Sequence, residues 1–208
     1  MNPDIVFKYF PDLDASSQEM IVRMKPLFTM WNNRINVISR KDMDNFYLHH
    51  VLHSMSPAKI ISFIPETRIL DVGTGGGFPG IPLAILFPEA EFTLLDSVGK
   101  KIRVVNEVAS ELGLGNVVAV KKRIEEEKGL YDFIIARAVT DFKKFVSLTT
   151  GKIASGEKNT LKNGILYLKG GDLTGELGPL LSKTTIWNIS DYFNESFFET
   201  KKILYLPS

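Results

Sequence analysis

The 208-residue chain contains no cysteine, only three histidines and no long apolar run. The missing cysteines exclude disulfides, thiolate metal sites, iron–sulfur clusters and every mechanism with a cysteine nucleophile. No stretch of about 18 apolar residues is present to cross a bilayer, and the proline-interrupted N-terminus lacks the pattern of a signal peptide. We therefore expect a cytoplasmic protein with no membrane partner, and no obligate protein partner is evident.

A strong excess of one charge sign is also missing, because 25 lysine and arginine residues stand against 24 aspartate and glutamate residues. Any nucleic-acid partner must therefore be inferred from local basic patches. His49 and His53 have a spacing that could chelate a metal, but the zinc-protease pattern needs a glutamate where His50 stands, and no third ligand is evident. We expect no metal site.

Hydrophobic periodicity divides the chain into residues 1–65 and residues 66–208. The first part is predicted to be a helical extension packed on the main domain, with a capping box at Ser16 and Glu19 and a kink or break at Pro26. A second helix is predicted to start near Asp44.

In the second part, β-rich runs alternate with helical runs, which predicts an α/β domain with a doubly wound, mostly parallel sheet. A helix weakened by Gly175 and Gly178 is predicted over residues 172–182. The seven strand candidates are RILDV (68–72), EFTLLD (91–96), NVVAV (116–120), YDFIIAR (131–137), GILYLKG (164–170), TTIWNIS (184–190) and KKILYLPS (201–208).

Five glycines lie within eight positions, 73 to 80, directly after the first strand candidate. Open α/β sheets bind ligands at the carboxyl ends of their strands, and glycines let the backbone approach a ligand closely. A phosphate-binding P-loop is excluded, because Ile81 and Pro82 stand where lysine and serine or threonine are needed.

A dinucleotide fingerprint is formally present in Gly75, Gly77 and Gly80, with Asp96 placed to accept hydrogen bonds from ribose hydroxyls. S-adenosylmethionine is the competing ligand, since its ribose also needs an acid at the end of the second strand. Asp71 just before the loop would repel a pyrophosphate but suits a cationic methionine moiety.

Prolines at the helix entry also favour S-adenosylmethionine over NAD. Phe78, Pro79 and Pro82 occupy this entry, and a proline has no N–H to offer a pyrophosphate. Two structural alternatives stay open, in which Asp71 orders the loop and Asp96 caps the next helix.

Several stretches together resemble the ribosomal RNA small-subunit methyltransferase G family, also called glucose-inhibited division protein B. They are WNNRINVISRKD, ILDVGTGGGFPGIPLAI, LLDSVGKKIRVVNEVASELGLGNV, RIEE and YDFIIARAV, and they cover the chain in order from about residue 25 to residue 172. The resemblance implies a seven-stranded class I methyltransferase that transfers a methyl group from S-adenosylmethionine to N7 of a guanine in bacterial 16S ribosomal RNA. It places cofactor contacts on Gly73, Phe78, Ile124, Glu125 and Arg137.

Two features depart from the family pattern: the region after Lys169 matches it only loosely, and the second predicted helix has a different histidine pattern. The family usually shows a single histidine and then an aspartate in the second helix, whereas this chain reads HHVLHSM, with His53 at the aspartate position.

The type of methyl transfer can be narrowed from the residues themselves. Methylation of a cytosine carbon needs a cysteine nucleophile, which the chain lacks. Methylation of exocyclic amines commonly uses an Asn/Asp-Pro-Pro-aromatic motif after the fourth strand, where this chain has residues 136–139, Ala-Arg-Ala-Val. Guanine N7 has a free lone pair and needs positioning instead of a general base. We assign Arg137 to holding the guanine, through its O6, or to ordering the pocket, with a structural salt bridge as the alternative.

Small-subunit ribosomal RNA, free or in the ribosomal subunit, would be bound by local basic residues near the strand ends and on the N-terminal part. The candidates are Arg34, Lys100, Lys101, Arg103, Arg123 and Lys169. Two other functions remain open from the sequence: an NAD-dependent oxidoreductase on the same sheet, and an RNA-binding assembly factor that has lost transfer activity.

Overall fold

A computed structural model describes residues 2–171 and 173–208. The N-terminal part consists of α1 (Asp4–Tyr9), α2 (Ala15–Asn32), a 3-10 turn (Arg40–Asn45), a π-helix (Phe46–Leu52), α3 (His53–Met55) and a second 3-10 turn (Ser56–Lys59). The second helix predicted near Asp44 is thus mostly a π-helix, whose i→i+5 hydrogen bonds change the side-chain faces expected from 3.6-residue periodicity.

The start of α2 differs from the prediction. Asp14, not Ser16, is the N-cap, and its carboxylate accepts a hydrogen bond from the backbone N–H of Ser17 at 2.6 Å. A carboxylate in this position also interacts favourably with the helix dipole. Ser16 is the second residue of the helix, so the predicted capping box is wrong.

Pro26 does not end α2. The proline has no N–H to donate to the carbonyl of Val22, four residues earlier. The hydroxyl of Tyr47 in the π-helix donates to that carbonyl at 3.0 Å and replaces the lost hydrogen bond. Of the predicted kink or break, the break is therefore wrong, because a tertiary contact satisfies the backbone group that the proline leaves free, and the kink stays a prediction.

Seven strands form one sheet in the order β3-β2-β1-β4-β5-β7-β6. They are β1 (Arg68–Val72), β2 (Glu91–Asp96), β3 (Val117–Lys121), β4 (Phe133–Arg137), β5 (Gly164–Gly170), β6 (Thr185–Asn188) and β7 (Lys201–Pro207). Strands β1 to β5 are parallel, and β7 runs antiparallel to both β5 and β6. The predicted seven-stranded, mostly parallel sheet is confirmed.

Helices cover both faces of the sheet, as the near-continuous apolar strands require. They are α4 (Gly80–Leu86), α5 (Gly99–Leu112), α6 (Phe142–Thr149) and α7 (Thr174–Leu177), which is followed by a 3-10 turn (Gly178–Lys183). Asp172, the first residue of the helix predicted over 172–182, lies outside the described residues. No helix in the described part of the chain is long and apolar enough to span a bilayer.

Alternate residues of the strands point into two separate cores. Ile69 packs in the core that also contains Phe28 and Phe46 from the N-terminal part, whereas Leu70 packs in the core with Phe142 from α6. The N-terminal helices therefore share one core with a face of the sheet, next to α4 and α5. The division of the chain at residue 65 stays a prediction.

Candidate functional site

A cavity of about 450 Å³ lies at the carboxyl ends of β1, β2 and β4. This volume is within the range of small-molecule sites, and open α/β sheets bind ligands at this edge. The lining residues are Val72, Gly73, Leu95, Asp96, Ser97, Val98, Lys101, Lys122, Arg123, Ile124, Glu125, Arg137, Ala138 and Val139.

Gly73 forms the floor of the cavity where β1 ends. Its φ of +69° lies in the left-handed region, and a Cβ at this position would come within 2.8 Å of Val139 Cγ2. Both facts require glycine at this position. The segment after β4 therefore lies directly against the glycine loop and closes one side of the cavity.

Asp96, the last residue of β2, is buried and holds the two loops beside the cavity. One carboxylate oxygen accepts a hydrogen bond from Gly75 N at 3.0 Å, and the other accepts one from Val98 N at 2.8 Å. Lys101 Nζ lies 3.7 Å from the first of these oxygens. Asp96 is not the N-cap of α5, since the helix begins at Gly99 and Val98 is its N-cap.

Asp71 is fully buried behind the glycine loop and does not line the cavity. Its Oδ2 accepts hydrogen bonds from Thr74 Oγ1 at 2.6 Å and from Gly80 N at 2.9 Å, while its Oδ1 has no partner in the described residues. Burial raises the pKa of this carboxyl to about 7. Asp71 thus orders the loop, as the structural alternative proposed.

The same contact weighs against a pyrophosphate at the start of α4. Gly80 N already donates to Asp71, and Ile81 N donates to Gly77 O at 2.8 Å. A dinucleotide would need such N–H groups free at a helix N-terminus. The glycine spacing of a dinucleotide fingerprint is present, but the backbone N–H groups that would bind the pyrophosphate are already used within the protein.

Replacing Asp71 with asparagine should change how the free energy of unfolding depends on pH. The carboxyl has a pKa near 3.9 in the unfolded chain and about 7 in the fold, so the folded protein binds the extra proton between these values. Its contribution to stability is complete below pH 4 and is lost as the pH rises through 7. In urea unfolding, the free energy of unfolding of Asp71→Asn minus that of wild type should rise by about 1.4 kcal/mol per pH unit between pH 4 and 6.5, because only the wild-type value falls. A gap independent of pH would contradict the raised pKa.

Arg137, the last residue of β4, lies where the cavity meets the N-terminal part of the chain. Its Nη1 donates to the backbone carbonyl of His49 at 3.0 Å, and its Nη2 donates to His50 Nδ1 at 3.1 Å. The guanidinium also lies over the ring of Phe78, 5.2 Å from the ring centroid. Within the described residues no carboxylate forms an ion pair with Arg137, so the salt-bridge alternative is not observed.

The predicted cofactor residues fall into two groups. Those on the cavity wall are Gly73, Asp96, Ile124, Glu125 and Arg137. Those that do not line it are Asp71, Gly75, Gly77 and Phe78. Phe78 is buried against Phe28 and Phe46, with ring centroids 4.9 and 6.0 Å away, so its side chain connects the glycine loop to the N-terminal helices.

The segment after β4 was not predicted as part of the site. Ala138 has a φ of +51°, unusual for a residue with a Cβ. The buried hydroxyl of Tyr167 accepts hydrogen bonds from Val139 N and Thr140 N, both at 3.0 Å, and donates to Thr140 O at 2.7 Å. A tyrosine within the strand pattern GILYLKG gave no signal for this role.

The basic residues predicted to bind RNA differ in their surroundings. Arg34, Lys100, Arg103 and Arg123 are exposed, and Arg34 lies over the buried ring of Trp31. Lys101 and Arg123 lie on the cavity wall, and Lys169 is paired with Glu176. Their roles in RNA binding stay predictions.

The three histidines contact other side chains of the protein. His49 Nδ1 and His50 Nε2 contact the two carboxylate oxygens of Asp42 at 2.5 and 2.6 Å. His53 is buried edge-on against Phe197. Across residues 2–171 and 173–208, no group of three or more potential ligands is arranged to hold a metal ion.

Two solved structures illustrate the proteins that share this fold. The precorrin-6y C5,15-methyltransferase of Geobacter metallireducens matches with a TM-score of 0.53 and 13% identity, over 76% of this chain and 88% of its own. A point mutant of MtNAS in complex with S-adenosylmethionine matches with a TM-score of 0.56 and 12% identity, over 88% of this chain and 72% of its own. At these identities the likeness shows the fold alone.

Sequence relatives are much closer. The ribosomal RNA small subunit methyltransferase G of Bacteroides thetaiotaomicron is 50% identical over 202 residues, which cover 97% of this chain and 98% of the relative. The protein of the same name from Christiangramia forsetii is 52% identical over 207 residues, or 100% of this chain and 98% of the relative. The GidB family model, described as rRNA small subunit methyltransferase G, matches residues 17–203, including the C-terminal region where the resemblance was loose. The chain therefore belongs to the rRNA small subunit methyltransferase G family.

Proposed function

We propose that this protein transfers the methyl group of S-adenosylmethionine to N7 of a guanine in bacterial small-subunit ribosomal RNA. The observation that carries the proposal is Arg137, a half-buried cation held by two neutral acceptors at the end of β4, on the wall of the cavity. The chain has no cysteine nucleophile, and no proline pair follows Arg137. Such a site can position a base that already carries a free lone pair.

The cavity fits S-adenosylmethionine. Each oxygen of Asp96 has one backbone donor, and a carboxylate oxygen can accept further hydrogen bonds, here from ribose hydroxyls. Ile124 and Glu125 lie on the cavity wall and would meet the face and edge of the adenine. The unpartnered Oδ1 of Asp71 lies behind the loop, where a nearby cationic methionine moiety would favour the charged carboxylate over the protonated form that burial favours.

S-adenosylmethionine held on this wall would supply an electrophilic methyl carbon for attack by the N7 lone pair, with a neutral thioether as the leaving group. N7 must therefore stay free of hydrogen bonds. Arginine commonly binds guanine through O6 and N7 together, which would block the reaction. Arg137 would have to donate to O6 alone. The contacts to His49 and His50 limit how the guanidinium can turn toward the base.

Access to N7 requires an irregular RNA structure. In an A-form helix the N7 edge faces a deep, narrow groove, so we expect the target guanine in a loop or turned out of its stack. The exposed cations Arg34, Lys100, Arg103 and Arg123 would contact phosphates, and binding should weaken as salt rises. A substrate in the small ribosomal subunit would place the reaction in the cytoplasm.

The test uses purified protein, S-adenosylmethionine and 16S RNA from cells lacking the gene, both as free RNA and in small subunits. Mass spectrometry of the digested RNA should find one new 7-methylguanosine, and calorimetry should find binding of S-adenosylmethionine but not of NAD. A methyl group at another atom would overturn the assignment to N7. Cofactor binding without transfer to either substrate would favour an assembly factor over an enzyme.

A further inference from the structure

Arg137 depends on residues far away in the sequence for its orientation. Its two protein acceptors, His49 O and His50 Nδ1, both belong to the π-helix of the N-terminal part. His50 in turn contacts Asp42 in the preceding 3-10 turn, with 2.6 Å between Nε2 and Oδ2. The N-terminal part thus reaches the cavity through the chain of contacts Asp42–His50–Arg137.

The chemistry of these contacts determines the tautomer of His50. An arginine guanidinium has only donors, so Nδ1 must offer its lone pair. The proton is then on Nε2 and is donated to Asp42. Burial and the charge of Arg137 lower the pKa of His50 to about 4, and the contacts with His49 and His50 lower the pKa of Asp42. At neutral pH the three linked groups are therefore the charged carboxylate of Asp42, the neutral imidazole of His50 and the charged guanidinium of Arg137.

A neutral acceptor holds the guanidinium without cancelling its charge. A carboxylate in the place of His50 would form an ion pair and compete with any ligand for the N–H groups. The imidazole instead leaves the positive charge for the ligand, and Asp42 fixes the ring orientation from the far side. Similar outer partners orient histidines that bind metals.

We propose that His50 and Asp42 are positioning residues for methyl transfer, which hold Arg137 in the orientation that lets a single N–H reach guanine O6. This inference rests on the proposed function. It assigns to the N-terminal part a share in the reaction, because without the π-helix the guanidinium at the cavity wall loses both of its protein acceptors.

The kinetic test compares four variants. His50→Ala and Asp42→Ala should lower kcat about 10- to 100-fold, the effect of losing a hydrogen bond to a charged group, while the Kd for S-adenosylmethionine changes less than about threefold. His50→Asn, whose side-chain oxygen can accept in place of Nδ1, should recover most of the lost rate. Tyr47→Phe is the matched control, because it removes a hydrogen bond from the same π-helix without touching Arg137.

A nitrogen-15 NMR experiment tests the orientation without relying on activity. Only three histidines are present, and the signals missing from His50→Asn identify His50. Between pH 5.5 and 8, Nε2 should be protonated and Nδ1 unprotonated, with Asp42, His49 and Arg137 as the charged or titratable groups acting on the ring. In Arg137→Met the His50 pKa should rise.

The outcomes separate this inference from the proposed function. Wild-type protein that does not methylate RNA would overturn the function, and the NMR result would still test the contacts. Active wild type with His50→Ala as fast as Tyr47→Phe would overturn the positioning role, as would a proton on Nδ1. If kcat falls by the same factor in all four variants, and the melting temperature falls by the same amount in all four, the role of His50 and Asp42 is structural only and the positioning role is overturned.

Discussion

Alanine in place of Arg137 is expected to lower the methylation rate at saturating substrates about 100- to 1,000-fold. The change removes the cation at the cavity wall, leaves His50 Nδ1 without its donor and takes one donor from the His49 carbonyl. Loss of a hydrogen bond to a charged group costs roughly 1.5–3 kcal/mol, and misplacement of the reacting base adds to this. Cofactor affinity should fall much less, since Asp96, Ile124 and Glu125 remain. Single-turnover methylation and equilibrium binding measure the two effects separately.

Arg137→Lys is the matched control for this experiment. Lysine keeps the positive charge but lacks the planar fork that donates to two acceptors at once. We expect it to recover only part of the lost rate. Full activity in the lysine variant would mean that charge alone matters, and wild-type methylation by the alanine variant would remove Arg137 from the mechanism.

The sheet could be predicted because its strands are apolar and short and are separated by helical runs. Arg68–Val72, Glu91–Asp96 and Gly164–Gly170 have the predicted bounds, and the bounds of the other strands differ from the prediction by at most two residues. In a parallel sheet the carboxyl ends of the strands meet at one edge. Residues such as Asp96 and Arg137, which end strands far apart in the sequence, were for that reason predicted to meet.

Side-chain direction within the glycine loop could not be predicted in the same way. Sequence position places Asp71 and Phe78 next to the ligand, but the fold turns both side chains away from the cavity and buries them. One orders the loop through Thr74 and Gly80, and the other packs under the guanidinium of Arg137. The order of residues in the sequence does not indicate which side chains of an irregular loop point toward the ligand and which point away from it.

The contacts made by the N-terminal part also could not be predicted from the sequence. Periodicity assumes 3.6 residues per turn, which fails where the π-helix begins at Phe46. Neither Asp42 nor Tyr47 has a local signal for its partner, because His50, Arg137 and the Val22 carbonyl come from other turns or other elements. Such pairings depend on tertiary packing, which overrides local preference.

Alanine in place of Gly73 is expected to lower affinity for S-adenosylmethionine by more than about tenfold. A left-handed φ costs an alanine roughly 1–2 kcal/mol, and here the new methyl group would also lie 2.8 Å from Val139 Cγ2. The segment after β4 cannot retreat freely, because the Tyr167 hydroxyl binds the backbone at Val139 and Thr140. The collision should therefore distort the cavity wall, and calorimetry would measure the lost affinity.

Gly113→Ala separates this collision from backbone strain. Gly113 has nearly the same φ, +72°, but no heavy atom lies within 4 Å of its would-be Cβ, and it ends α5 away from the cavity. It should lose about the same 1–2 kcal/mol of stability while binding the cofactor as wild type does. Adding Val139→Ala to Gly73→Ala should recover part of the affinity, relative to Val139→Ala alone, because it removes the colliding methyl groups. Equal affinity in the Gly73 and Gly113 variants would mean that contact between the glycine loop and the segment after β4 does not shape the cofactor site.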